Sequence, residues 1–343
     1  DQVYVSGSST IDNTTLNRLN YTGGAATIQS STIGYMDYTG GAATLTGNTL
    51  TDAAPVRITD PDVSLAGFSG NTFTDADPWI WIYGTLDAAQ TLPILDGLGN
   101  YRLSSDLLVG PAAQLTLAAG VDLKSDRGYD HLVVDGQLQG TGVTLDLLGY
   151  NYYGWYSSLE VRDGGQASLS NSTIVSQNTY GKIEVRDGGR LDLTDVTIQD
   201  NSSGLRVTYR AGSAGTISGT TGNWDLYLYS DSPLVTGGTE VDQVYVAASA
   251  TIENTTLNRL SYTDGAATIQ SSTIGYMDYS GGAATMTGNT LTGAAPIRIA
   301  DPDISLAGFS GNTFTDADPW IWIRGTLDGT STLAILDGLG NYR

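Results

Sequence analysis

Pairs of aspartates spaced two residues apart are the first candidates for chemistry in this chain. They occur in four places, two of which repeat the other two: Asp60/Asp62, Asp75/Asp77, Asp301/Asp303 and Asp316/Asp318. Alternate carboxylates on one turn could share a Ca²⁺ ion, which prefers oxygen ligands. Asp before Pro is also ordinary turn-forming sequence, and the glycine-rich calcium-binding nonapeptide is absent. The sequence therefore favours turns without a cofactor, with a Ca²⁺ cofactor as the alternative.

The residues that acid–base or nucleophilic catalysis needs are sparse. There is no cysteine, one histidine (His131), and two lysines, Lys124 and Lys182. Polysaccharide lyases and hydrolases built on β-helices use a basic side chain beside clustered carboxylates, or a Gly-His-Gly segment with Arg-x-Lys. His131 has no flanking glycine and is interpreted as an exposed turn residue. We therefore expect no enzyme activity.

Two aromatic segments supply the candidate binding surface. Within 78–84 the alternation places Ile80 and Ile82 inward, and the segment 150–156 is crowded with rings. Outward rings could stack on sugars, form a lateral contact with another chain, or pack locally under a turn. The candidate residues for a glycan or lateral contact are Trp79, Trp81, Tyr83, Tyr152, Tyr153, Trp155, Trp320 and Trp322.

The outward centres of successive strands predict a structural ladder on the outer surface. If the strands stack in register at ~4.8 Å, guanidinium groups and rings alternate within the cation–π range of ~6 Å. Glu184 against Arg206 would add a weak surface ion pair. The predicted outer ladder is Arg18, Tyr35, Arg57 and Trp81. The spacing equally allows a column of tyrosines: Tyr4, Tyr21 and Tyr38.

Short strands repeated at a fixed step must position these side chains. The segment YTGGAATIQSSTIGYMD at 21–37 is followed by most of a second copy at 38–50, so Ile28 recurs as Leu45 after 17 residues. A recurrent phrase of six residues places turn-forming Asn or Gly between two apolar positions, where amides can bond to the next coil. These Asn positions are Asn13, Asn48 and Asn71.

No segment shows helical periodicity. Two or three strands per coil of about 17 to 27 residues predict an all-β fold, a right-handed parallel β-helix (β-solenoid) of about 16 coils with few or no helices. At ~4.8 Å per coil the rod would be about 75–80 Å long. The predicted core contains Ile11, Ile28, Leu45, Ile183, Val185, Leu205 and Val207.

A longer repeat sets the predicted domain organisation. Residues 242–343 align without a gap to residues 1–102, with 85 of 102 positions identical. Residues 1–241 are interpreted as one full unit of about 55 Å at ~4.8 Å per coil. Residues 242–343 are a partial second copy continuous with it. The chain is expected to be a window from a longer tandem array.

Charge and composition exclude some partners. The chain carries 15 basic and 36 acidic residues, for a net charge of −21. Phosphate recognition needs clustered Lys and Arg, so nucleic acid is a poor partner. No apolar run approaches the length that spans a membrane. The absence of cysteine suits an exported bacterial protein.

Residues 101–142 carry a recognisable pattern. The positions that fit it are Val109, Leu115, Leu117, Gly120, Val121, Val134, Gly136, Leu138 and Gly142. This segment resembles a phrase of bacterial right-handed β-helix repeat proteins, many of them very large secreted or surface-anchored chains. The resemblance implies the fold and an extracellular or cell-surface location, and it implies no activity.

Three functional hypotheses follow. The first is a structural repeat segment of an extracellular bacterial fibre, stalk or matrix filament, whose partners are further copies of the unit in the same or neighbouring chains. The alternative is a surface adhesin that binds glycans through exposed Trp and Tyr. The third is a polysaccharide lyase or glycoside hydrolase.

Overall fold

The structure, a computed structural model, describes residues 1–126, 130–147, 158–176, 181–200, 204–326 and 335–343. Within these ranges it contains parallel strands joined by turns and no helix, which confirms the predicted all-β parallel solenoid. Accordingly, the described residues offer no helix that could cross a membrane. The predicted right-handed winding stays a prediction.

The strands fall into two compact units, one made of Asp1–Glu160 with Gly164–Gly181 and the other of Val161–Asp163 with Lys182–Arg343. The strands of the first unit, with the last residue of β19 belonging to the second, are β1 (Gln2–Val5), β2 (Thr10–Asp12), β3 (Thr15–Tyr21), β4 (Ala25–Gln29), β5 (Thr32–Tyr38), β6 (Ala42–Thr46), β7 (Thr49–Leu50), β8 (Val56–Ile58), β9 (Phe68–Ser69), β10 (Thr72–Phe73), β11 (Ile80–Leu86), β12 (Ala89–Leu92), β13 (Asn100–Val109), β14 (Gln114–Leu117), β15 (Asp122–Ser125), β16 (His131–Val134), β17 (Gln137–Thr141), β18 (Thr144–Leu147), β19 (Ser158–Val161), β20 (Gln166–Ser170) and β21 (Thr173–Ser176).

The second unit continues the same pattern. Its strands are β22 (Lys182–Val185), β23 (Arg190–Thr194), β24 (Thr197–Asp200), β25 (Leu205–Tyr209), β26 (Ala214–Ser218), β27 (Thr221–Gly222), β28 (Trp224–Leu228), β29 (Ser232–Thr236), β30 (Glu240–Ala247), β31 (Thr251–Glu253), β32 (Thr256–Asp264), β33 (Thr268–Gln270), β34 (Thr273–Tyr279), β35 (Thr285–Thr287), β36 (Thr290–Leu291), β37 (Ile297–Ile299), β38 (Phe309–Ser310), β39 (Thr313–Phe314) and β40 (Ile321–Ile323).

The compact units do not divide at the sequence repeat. The predicted boundary between residues 241 and 242 falls inside β30, which belongs wholly to the second unit. A continuous strand therefore joins the full repeat to its partial copy. The division into 1–241 and 242–343 remains a description of the sequence.

In the shortest coils one continuous strand supplies two ladder segments, whereas longer coils have a turn between these segments. Ile11 lies opposite Ile28, and Ile28 opposite Leu45, at steps of 17 residues. The seven-residue strands β3 and β5 each supply two ladder segments and bend between them at Asn17 and Gly34. A Cβ on Gly34 would lie 2.2 Å from the carbonyl oxygen of Asn17, so only glycine allows this approach.

The longest paired step among the described strands exceeds the predicted range of coil lengths. Leu138 lies opposite Ala167, 29 residues later, against a predicted maximum of about 27. Solenoids absorb such differences in their turns, since only the strands must stay in register.

The core lies along the inward positions of the strands. Ile28 and Leu45 are fully buried, whereas Ile11 is half-buried, because among the described strands β2 pairs only with β4. Tyr21 and Tyr38 are also buried, with ring centroids 5.3 Å apart. Val5, not Tyr4, lies opposite Tyr21, so the tyrosine column omits Tyr4.

Buried asparagines form hydrogen bonds between neighbouring coils. Asn48 accepts a hydrogen bond from the backbone N–H of Ser31 at 3.0 Å and donates to the carbonyl oxygen of Ile28 at 2.9 Å. It also donates to Asn71 Oδ1 at 3.0 Å. Of the three predicted Asn positions, Asn13 has the left-handed backbone, with φ of 50°, while Asn48 and Asn71 use their amides. The second unit repeats the bonds through Ser272, Asn289 and Asn312.

Candidate functional site

An alternating row of guanidinium groups and rings runs along the outside of the first unit. Arg18 lies opposite Tyr35 in the β3–β5 register, and Trp81 lies opposite Arg57 in the β8–β11 register. The guanidinium carbon of Arg57 lies 3.9 Å from the ring centroid of Tyr35 and 4.7 Å from that of Trp81. Arg18, on the strand that pairs with the other side of β5, lies 5.5 Å from the Tyr35 ring centroid. All three distances fall within cation–π range. The structure thus brings together the four residues of the predicted outer ladder.

Each arginine of the outer ladder lies beside a carboxylate. Arg18 donates to Asp37 Oδ2 at 2.7 Å, and this hydrogen bond raises the pKa of Arg18 above its usual value. Arg57 lies 3.8 Å from Asp52. Each carboxylate restricts the rotamers of its arginine, so less entropy is lost when the planar group lies over a ring. Neither acid was predicted from the sequence, although Asp37 follows Tyr35 by two residues and so shares its outward face.

Two of the tryptophans proposed for glycan contact, Trp79 and Trp81, are half-buried, and arginines lie over their rings. Arg102 lies 3.8 Å from the Trp79 ring centroid and is paired with Asp77 at 3.2 Å. The indole Nε1 atoms of Trp79 and Trp81 are buried and find no hydrogen-bond partner in the described ranges. Burying an unsatisfied donor costs free energy, which the stacking of arginine on the rings must offset. Tyr83 is also half-buried. Tyr152, Tyr153 and Trp155 lie outside the described residues.

The second unit repeats part of this surface. Tyr276 lies between Arg259 and Arg298, at 5.7 and 4.1 Å from the two guanidinium carbons. Arg343 lies 4.2 Å from the Trp320 ring, as Arg102 does over Trp79. Trp322 is 39% exposed and lies 5.4 Å from Arg324, the residue that replaces Tyr83 in the second copy. The repeat therefore preserves the cation–ring pairing rather than a free aromatic face.

Glu184 forms the main charge cluster of the second unit, and its partners differ from the prediction. Arg206 lies opposite Lys182 in the β22–β25 register, so the predicted ion pair between Glu184 and Arg206 is wrong. Glu184 is 6% exposed and accepts from Lys182 at 2.9 Å and from Arg210 at 2.8 Å. Burial acts to raise its pKa, but the two donors outweigh burial and lower the pKa of Glu184 to about 2. Glu184 lies between the inward-facing Ile183 and Val185 and so points outward, but Lys182 and Arg210 cover it.

The aspartate pairs act as turns. Asp60 accepts from the backbone N–H of Asp62 at 3.1 Å, and Asp75 accepts from that of Asp77 at 3.0 Å. Asp62 in turn caps the backbone N–H of Ala88 at 2.9 Å. Among the described residues no group of three acidic or histidine side chains is arranged to hold a metal ion. These bonds are the Asx turns expected of such sequences.

His131 is not an exposed turn residue. It begins β16 and is half-buried, and its Nδ1 lies 2.7 Å from the hydroxyl oxygen of Ser158. That hydroxyl donates to Glu160 at 3.3 Å. Ser158 is fully buried, so the described geometry does not present it to a substrate as a nucleophile.

Comparison with known proteins adds no relative. No family model matches the chain, and neither a curated protein nor a solved structure is significantly similar to it. The resemblance of residues 101–142 to bacterial β-helix repeat proteins therefore stays a prediction from sequence.

Proposed function

We propose that this chain is a structural segment of an extracellular bacterial fibre, stalk or matrix filament. The observation that carries the proposal is the parallel backbone ladder over a continuous apolar core, which recurs in coil after coil of each unit. Parallel coils resist bending because each is bonded to its neighbours along its strands. The partners are further copies of the repeat unit, in the same chain or in neighbouring ones.

The outer surface supports a structural role over glycan adhesion. A sugar ring stacks on the open face of an aromatic side chain. Arg57 already lies on Trp81, and Arg102 on Trp79, at 4.7 and 3.8 Å. A sugar would have to displace a guanidinium that is also held by a carboxylate. The same contacts link successive coils, which is what a load-bearing segment needs.

Stiffness is testable because the chain contains no cysteine. Spin labels at Thr44→Cys and Thr285→Cys would sit at exposed, equivalent positions exactly one repeat apart in sequence. A stiff rod predicts one narrow distance distribution near ~55 Å, from the coil count at ~4.8 Å per coil. A broad distribution, or one centred far below that value, refutes the rod. Measurable binding of the same protein on a glycan array would favour the adhesin.

A further inference from the structure

A groove opens inside the first unit where a long coil is followed by a shorter one. The chain advances nine positions from Asn71 to Ile80, but only five from Asp96 to Tyr101 in the next coil. The two paths begin together, since Asp96 accepts from the Asn71 backbone N–H at 3.0 Å. They also end together, with Tyr101 opposite Ile80. The shorter path leaves a groove of about 490 Å³ between them. Strands β11 to β18 follow in the same unit, so the groove lies within the stack of coils.

The backbone of β10 has one unpaired edge, and this edge faces the groove. Among the described strands β10 pairs only with β7. On that side the N–H groups of Thr72 and Thr74 donate to carbonyl oxygens of the coil that contains β7. Alternate residues of a strand direct their backbone groups to opposite sides, so the N–H and C=O of Phe73 face the groove. There they form no hydrogen bond with the described part of the chain. A free strand edge of this kind pairs with an extended segment.

The groove combines an apolar floor with an acidic rim. Phe73 points towards the core but is only half-buried, because no described strand covers β10 on this side. Pro78 and Leu98 line the groove with it. The charged residues of the rim are the exposed Asp75 and Asp96, and none of the described residues that line the groove is basic. A lysine side chain is complementary to such a surface, because its alkyl stem packs on apolar groups while its ammonium group stays at the carboxylates.

The second unit contains the same groove. Among the described strands β39 pairs only with β36, as β10 does with β7. The groove beside β39 has a volume of about 450 Å³ and is lined by the equivalent residues, all identical: Phe314, Asp316, Pro319, Asp337 and Leu339. The chain therefore presents this lining twice.

We propose that the groove beside β10 is a docking site for an extended segment of another protein that carries a lysine. The backbone of the segment pairs with the free N–H and C=O of Phe73. The lysine stem packs on Phe73 and Pro78, and the ammonium group lies between Asp75 and Asp96. This inference goes beyond the proposed function, whose partners are copies of the repeat unit.

Charge indicates that the occupant is a different protein. The chain has two lysines, and both are engaged in ion pairs. Lys124 lies 2.9 Å from Asp146, and Lys182 lies 2.9 Å from Glu184. Another copy of the repeat therefore has no lysine to offer without breaking one of these pairs. The net charge of −21 attracts a basic partner instead.

Fluorine NMR of the full chain tests this docking, because the chain contains only four phenylalanines. With fluorinated phenylalanine incorporated, Phe73 and Phe314 report on the two grooves. The other two, Phe68 and Phe309, are buried and serve as internal controls. The probe is the acetylated and amidated pentapeptide GVKVG. Its matched controls carry norleucine in place of lysine, or methyl groups on the three central backbone nitrogens.

We expect the lysine peptide to shift the signals of Phe73 and Phe314 and to leave the other two unchanged. The norleucine peptide should bind about two- to fivefold more weakly, because it lacks an exposed ion pair. The N-methylated peptide should bind about tenfold more weakly, because it cannot pair with the strand edge.

Substitutions in one groove should affect that groove alone. Asp75→Asn should weaken binding reported by Phe73 about two- to fivefold and leave the Phe314 response unchanged. Asp316→Asn should do the reverse. Asp12→Asn, at an exposed position outside both grooves, should change neither response. An unshifted Phe73 signal, equal shifts of all four signals, or equal binding of the norleucine peptide overturns the proposal.

Discussion

Replacing Asn48 with alanine removes a link between coils whose cost can be worked from its bonds. Asn48 is 1% exposed and accepts the backbone N–H of Ser31 at 3.0 Å. Without that acceptor a buried donor is left unsatisfied, at about 1–3 kcal/mol. The carbonyl oxygen of Ile28 and Asn71 Oδ1 each lose one donor, but Asn71 Oδ1 keeps the backbone N–H of Asn48 at 3.1 Å. The total is about 2–4 kcal/mol, most of it from the Ser31 donor.

Hydrogen exchange measured by mass spectrometry can locate this loss, because unfolding of a long solenoid is not two-state. The segment 28–50 should exchange about 30- to 700-fold faster in Asn48→Ala, the equivalent of 2–4 kcal/mol. The segment 269–291 is the matched control within the same molecule, and it differs in mass because Thr39 and Leu45 are replaced there by Ser280 and Met286. Asn17→Ala, at an exposed position, should change exchange little.

The reasoning fails if segment 28–50 of Asn48→Ala exchanges within about threefold of the parent, which is less than 1 kcal/mol. It also fails if 28–50 and 269–291 accelerate equally, because the effect would then be global. Asn289→Ala should give the mirror result, with 269–291 accelerated and 28–50 unchanged.

Three further predictions test the core, the outer ladder and the charge cluster. Ile28→Asp buries an unpaired charge at a fully buried position, so local protection should be lost, while Thr44→Asp at an exposed position should melt like the parent. Arg57→Gln removes two cation–π contacts and should lower the local free energy of opening of its coil by about 1–2 kcal/mol, measured by hydrogen exchange. Arg190→Gln should have a smaller effect on its own coil, and an equal effect of both would show that charge alone matters. The folded-state pKa of Glu184 is lowered to about 2 from 4.5, so its stabilisation is present above pH 4.5 and is lost as the pH falls towards 2. The full pKa shift corresponds to about 3 kcal/mol, and solvent screening reduces this to about 1–2 kcal/mol. The difference in melting temperature between the parent and Glu184→Gln should therefore shrink from pH 5 to pH 2. A constant difference would contradict the lowered pKa of Glu184.

Local spacing was enough to predict the stacking of strands. The 17-residue step between Ile28 and Leu45 is also the register of their strands, because equivalent apolar positions must share one core. The same spacing predicted that Arg57 lies between Tyr35 and Trp81. The inward tyrosines and the outward ladder were treated as alternatives, but the pleat places Tyr21 and Arg18 on opposite faces, so both exist.

Partners of charged groups required the tertiary structure. The pairing of Glu184 with Lys182 and Arg210, rather than Arg206, depends on a register that turn length sets and sequence spacing leaves open. His131 likewise meets Ser158 only because their strands belong to adjacent coils, 27 residues apart in sequence. The sequence by itself determined the fold class, the core face and the repeat, since these follow from the period of apolar residues. Only the tertiary structure decided which side chains meet across coils, and that the rings of Trp79 and Trp81 are covered by arginine, because the geometry of the intervening turns fixes both.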